Sequence, residues 1–170
     1  MPKIIAIIIE FIIFLGSLWV LSFLSTFLHE LGHALGYMLA TGDWHWHIRV
    51  GWGKRLLNTK ALTVNLLVFD GFFTPSGKKI DTGAKRISTL SGGPVVSLLL
   101  VLGLLALKFG GISIQSDVFA DGVIDFFINF ALFLNLFILV LSLIPVRYFW
   151  GKIKGLETDG LQIIHAMKKH

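Results

Sequence analysis

The chain has no cysteine. That removes any disulfide framework and leaves the redox compartment undetermined. Charge is scarce too: 15% of the 170 residues are Asp, Glu, Lys or Arg, against about a quarter in soluble domains. A soluble domain of this length could bury a good core, but it would carry more charge. Ile4–Leu28 holds one charged residue, Glu10, while Ile87–Leu107 and Phe126–Val146 hold none. No small-x-small cleavage site follows the first block, and its apolar run is too long for a signal-peptide core. It is therefore expected to be retained. Nor is there an internal repeat of the kind transporters carry, which argues against that class.

What is present is apolar: 55% of the residues, with the longest runs in those three blocks. Each can cross the ~30 Å hydrocarbon core of a bilayer, which takes ~20 helical residues. The expected fold is a mainly α membrane protein. Three transmembrane helices fall at residues 4–40, 85–109 and 121–145, with a strand-rich, membrane-associated loop at 41–83. An Asp-Gly loop and C-terminal helix occupy 146–170. All of it reads as one unit, 1–170.

The net charge of +5 is unevenly spread. Arg49, Lys54, Arg55, Lys60, Lys78, Lys79, Lys85 and Arg86 lie between the first two blocks, and Arg147, Lys152, Lys154, Lys168 and Lys169 follow the third. Gly110–Asp125 carries only acidic residues, Asp117, Asp121 and Asp125. The positive-inside rule then places the basic loop and the C-terminus in the cytoplasm, and the N-terminus and acidic connection outside. Beside membrane spans, the basic loop reads as a topology signal drawn to anionic lipid, and no nucleic-acid partner is expected.

Within the first block's continuation lies His29-Glu30-Leu31-Gly32-His33. Residues four apart share one helix face, so both imidazoles can bind one Zn²⁺. Glu30 is placed to accept a proton from a water that zinc acidifies. Ionisable residues are costly in a membrane segment, and three at this spacing point to a site lying toward the cytoplasmic end of the span.

Catalytic zinc usually takes a third protein ligand. Asp159 is the best candidate, with His165 as an alternative. Asp159 or Thr158 could equally be the N-cap of a helix over Leu161–Lys168. In the loop, Trp44–Val50 and Leu62–Leu66 alternate as short strands do, with Gly51, Gly53, Gly71 and Pro75 as punctuation. Such strands could take up an extended peptide by strand addition. His45 and His47 read as part of an interfacial Trp/His girdle, since no carboxylate sits at useful spacing. Gly16-Ser17 reads as a helix-packing face.

Taken in order, these segments resemble the site-2 proteases, a family of intramembrane zinc metalloproteases. His29–His33 with Ala34 matches the family's HELGH segment. Ile48–Gly53 and Gly71–Phe73 look like its two strand regions. Ser91–Leu99 is similar to its Gly-Pro helix, and Leu143-Ile144-Pro145 with Asp159-Gly160 to its Asn-x-x-Pro … Asp-Gly motif. The resemblance implies one Zn²⁺ per chain held by His29, His33 and Asp159, with Glu30 as catalytic base. It implies an endopeptidase acting on transmembrane proteins or peptides within the lipid bilayer. With no room for a PDZ or CBS domain, the chain looks like a minimal catalytic core. Homo-oligomerisation is left open. Ser97 and Ser142 stand where the family has Asn, which bears on substrate holding and oxyanion stabilisation, and Asn135 is a candidate substitute for Ser142. The alternative class is a non-catalytic zinc-binding membrane regulator, or an inactive homologue that binds membrane peptides.

Overall fold

The computed structural model describes residues 3–110, 121–148 and 155–168. Four helices and a two-stranded antiparallel sheet follow in the order α1 (Lys3–Thr41), β1 (Trp46–Asn58), β2 (Leu62–Pro75), α2 (Gly83–Phe109), α3 (Asp121–Leu143) and α4 (Asp159–Met167). Three of them, α1, α2 and α3, are long and apolar enough to cross a membrane. The HExxH segment lies inside α1, which continues without a break to Thr41. Helix α3 stops at Leu143, two residues short of the span expected to end at 145. Pro145 explains this, because its ring disfavours helical geometry in the residue before it. The acidic connection falls largely at 111–120, outside the described residues.

Helices α1 and α2 pack through glycine. A Cβ added at Gly32 would lie 2.3 Å from the Gly92 carbonyl oxygen, and one at Gly36 would lie 2.3 Å from the Ser88 carbonyl oxygen. Only residues without side-chain bulk allow backbones so close, which is how small residues tighten helix pairs where no water drives association. Helix α3 joins them through Asn135, whose amide donates to Ser25 Oγ at 3.0 Å, and through Phe126 and Phe127 against Phe14. Among the described residues nothing lies within 4 Å of a Cβ at Gly16, and Ser17 Oγ bonds the Ile13 carbonyl of its own helix, so this pair makes no helix contact there.

The loop expected to hold short strands instead holds two long, bent ones, of 13 and 14 residues. Bending lets β1 residues Ile48–Val50 be flanked twice, by Gly71–Phe73 on one side and Leu62–Val64 on the other. Gly51 and Gly53 supply the bend, with φ of 75° and 90°, a region that side chains disfavour. Ile48, Val50 and Val68 then pack on a stripe of α1 formed by Trp19, Phe23, Phe27, Leu31 and Ala34. The stripe follows the i, i+4 and i, i+3 spacings of one helix face. Trp19 closes the contact by donating to the Leu66 carbonyl at 2.7 Å. The sheet thus lies along α1 from the Tyr37–Phe73 ring contact to Trp19, covering the HExxH stretch between them.

At its base the sheet is clasped by Asp43. This carboxylate accepts from the His45 backbone N–H at 2.9 Å, pairs with His45 Nδ1 at 2.6 Å, and accepts from the Tyr37 hydroxyl and the Lys78 backbone N–H. The His45 backbone bond, with the other donors, holds its pKa well below the usual carboxylate range. His45 therefore does have a carboxylate neighbour, contrary to the sequence expectation. His47 faces Thr63 Oγ1 at 3.0 Å.

Candidate metal centre

Because α1 is continuous through residues 29–33, the His29 and His33 rings leave the same face, with centroids 4.9 Å apart. Both residues are buried, as is Glu30. Each ring is held through its Nδ1. His33 Nδ1 lies 2.9 Å from the Thr89 carbonyl, which can only accept, so Nδ1 carries the proton and Nε2 presents a lone pair. His29 Nδ1 lies 2.9 Å from the hydroxyl of Ser97, a fully buried residue. Both Nε2 atoms point at one place, where Asp159 arrives from α4.

Asp159 is free to do so because Thr158 takes the capping role, accepting from the Leu161 N–H. The Thr158 hydroxyl also donates to the Ile144 carbonyl at 2.6 Å, fastening the start of α4 to the end of α3. At Gly160 the fit is closer still, since a Cβ there would lie 2.1 Å from the Leu143 carbonyl oxygen.

The three ligand atoms form a small triangle: Nε2 to Nε2 is 3.2 Å, and Asp159 Oδ2 lies 3.6 Å from His29 Nε2 and 3.3 Å from His33 Nε2. Three electron-rich atoms this close repel one another unless a cation is shared between them. Tetrahedral zinc with bonds near 2.0–2.1 Å sets its ligands about 3.3 Å apart. The residues present fit such an ion, and among the described residues they are the one group that could hold a metal. His165 is elsewhere, 3.1 Å from Glu157.

Two glycines make room for the centre. A Cβ at Gly93 of α2 would lie 2.4 Å from His33 Nε2 and 2.8 Å from His29 Nε2, and one at Gly71 of β2 would lie 2.4 Å from Glu30 Oε1. The Glu30 carboxylate is thus pressed beneath the β2 backbone. In the sequence Gly71 reads as strand punctuation and Gly93 as part of a Gly-Pro helix, and neither carries a signal for these contacts. Ser97 stands out in the sequence as a departure from a family pattern, and nothing there signals its bond to His29. Thr89 acts through its backbone carbonyl, which no side-chain identity reveals.

The Asn positions resolve differently. Ser142 is buried and donates to the Leu139 carbonyl of its own helix, and the Asn135 amide is committed to Ser25 and the Ala131 carbonyl. No family model matches the chain, and no curated protein matches it.

Proposed function

We propose that the chain is an intramembrane zinc-dependent endopeptidase of the site-2 protease type, cutting transmembrane segments of membrane-anchored proteins or peptides. One observation carries this: a triangle of zinc dimensions formed by buried His29 and His33 and partly buried Asp159, with the Glu30 carboxylate beside the two histidines on a helix apolar enough to cross a membrane. A purely structural zinc site would close its fourth position and has no use for a neighbouring base.

A zinc ion bound there would supply Lewis-acid polarisation of a carbonyl and a more acidic water. The chain's own residues do the rest. Glu30 accepts a proton from the attacking water and returns it to the departing amine. Ser97 and the Thr89 carbonyl fix the ring orientations, so ligand geometry costs no reorganisation. Gly71–Pro75 pairs with β1 on one side only among the described residues. Its other edge can accept an extended substrate strand. That matters because a transmembrane helix satisfies its own backbone and hides the scissile carbonyl until it unwinds. The positive charge of the loop and C-terminal residues supports an orientation with the centre toward the cytoplasmic side and the N-terminus outside.

The test is Glu30→Gln, assayed with a fluorogenic transmembrane peptide whose centre is rich in glycine, a weak helix former. Cleavage should disappear while zinc content stays near that of wild type. Cleavage that survives the substitution would overturn the assignment. Zinc binding without cleavage in either protein would favour the non-catalytic regulator.

A further inference from the structure

Attack on a peptide carbonyl gathers negative charge on its oxygen, and one hydrogen-bond donor aimed there is worth about 10²–10³ in rate. Most polar side chains around the centre are already engaged. Ser97 is on His29, Ser142 on Leu139, the Asn135 amide on Ser25 and Ala131, and Thr158 on Ile144. Tyr148 is different.

Its position follows from a short pairing of two strand-like segments. Arg147 and Glu157 form an isolated antiparallel bridge. The Tyr148 N–H donates to the Leu156 carbonyl at 2.9 Å, and the Gly155 N–H donates back to the Tyr148 carbonyl at 2.7 Å. The Arg147 guanidinium locks the bridge through Glu157 Oε1 at 2.8 Å. This pairing sets Tyr148 opposite the residues that lead directly into Asp159. Phe72, Arg147, Gly155, Leu156, Glu157 and Gln162 line a cleft of about 550 Å³ beside it. Phe72 belongs to β2, the strand whose Gly71 covers Glu30, and Leu156 and Glu157 lead into Asp159, so the cleft separates that strand from the Asp159 approach. The Tyr148 ring is half-buried and lies within electrostatic reach of both the Asp159 and Glu30 carboxylates. Among the described residues its hydroxyl has no hydrogen-bond partner.

We infer that the Tyr148 hydroxyl is a further catalytic group, donating a hydrogen bond to the scissile carbonyl oxygen and holding it more strongly as that oxygen becomes an oxyanion. This rests on the proposed protease activity. The phenol is suited to donating: burial first, then the two carboxylates, push its pKa upward, so it keeps its proton. The step balances without net transfer from Tyr148. Water oxygen bonds to the carbonyl carbon as its proton passes to Glu30, and the carbonyl π pair moves onto oxygen beneath the Tyr148 O–H. Collapse restores the carbonyl, breaks the C–N bond, and takes the proton from Glu30 to nitrogen.

The experiment compares wild type, Tyr148→Phe and Glu30→Gln. Three quantities are read: zinc affinity, cleavage of the glycine-centred transmembrane peptide, and binding of two probes to the zinc-loaded protein. N-phosphoryl-leucinamide presents a tetrahedral anion, and acetohydroxamate a planar chelate. Tyr148→Phe should keep wild-type zinc and acetohydroxamate affinity. It should bind N-phosphoryl-leucinamide at least about 10-fold more weakly and lose about 100-fold in kcat with little change in KM. Wild-type probe binding and kcat in Tyr148→Phe would overturn the inference while leaving the protease assignment standing. Lost zinc affinity would also overturn it, showing that Tyr148 acts through Asp159. Wild-type protein that neither cleaves the peptide nor binds either probe would overturn both.

Discussion

Gly71 and Gly93 give the site's most discriminating prediction, because the same methyl group should do different damage at each. At Gly71 the new Cβ would lie 2.4 Å from Glu30 Oε1 and 2.5 Å from its Cγ, where ordinary contact begins at 3.4 Å. The Glu30 side chain must retreat by about 1 Å, and misplacement on that scale costs about 10²-fold in rate, or about 2.7 kcal/mol. No ligand of the triangle is touched, so zinc should remain. At Gly93 the methyl would lie 2.4 Å from His33 Nε2 and 2.6 Å from its Cε1, among the ligand atoms themselves. Zinc affinity should fall at or beyond the upper end of the about 10–100-fold expected when only a supporting residue is lost. The assay is zinc content at limiting metal in detergent, alongside cleavage of the transmembrane peptide and circular dichroism to check helix content. Gly71→Ala cleaving at near wild-type rate, or Gly93→Ala holding zinc as tightly as wild type, would refute the placement of these backbones against the centre.

Other outcomes follow from the same geometry. Ser97→Ala removes the partner of His29 Nδ1 and should weaken zinc binding by about 10–100-fold in a competition titration; unchanged affinity would mean that ring is held by packing alone. Gly160→Ala puts a methyl 2.1 Å from the Leu143 carbonyl oxygen and should push α4, and Asp159 with it, off α3. Its zinc affinity should drop although no ligand has changed, and full retention would show that α4 can shift freely. Asp43→Asn should lower the melting temperature at pH 7. Because the folded-state pKa of Asp43 is depressed, its contribution is present above the unfolded value of about 3.9 and lost as pH falls below it. The gap between variant and wild type should therefore narrow only below about pH 4; a gap that closes well above that pH would count against the clasp.

The three apolar blocks and the HExxH spacing were legible in the chain because both are local properties. Twenty apolar residues are read without knowing their neighbours, and residues four apart share a helix face wherever that helix lies. The alternation at Trp44–Val50 announced strands for the same reason, but their length and bend depended on long-range pairing with Leu62–Pro75. The third ligand stood at the border. From its neighbours alone Asp159 could as well have been a helix cap, and the resemblance to site-2 proteases favoured it. Only the packed chain hands the cap to Thr158 and turns Asp159 toward the histidines. Tertiary structure alone decided that Ser97 and the Thr89 carbonyl orient the rings, that Gly93 leaves space for the ligand atoms, and that Gly71 lies over Glu30. These are contacts between segments far apart in sequence. A glycine's neighbour across an interface, or a carbonyl's direction, leaves no mark on the residue's identity until the backbones have met.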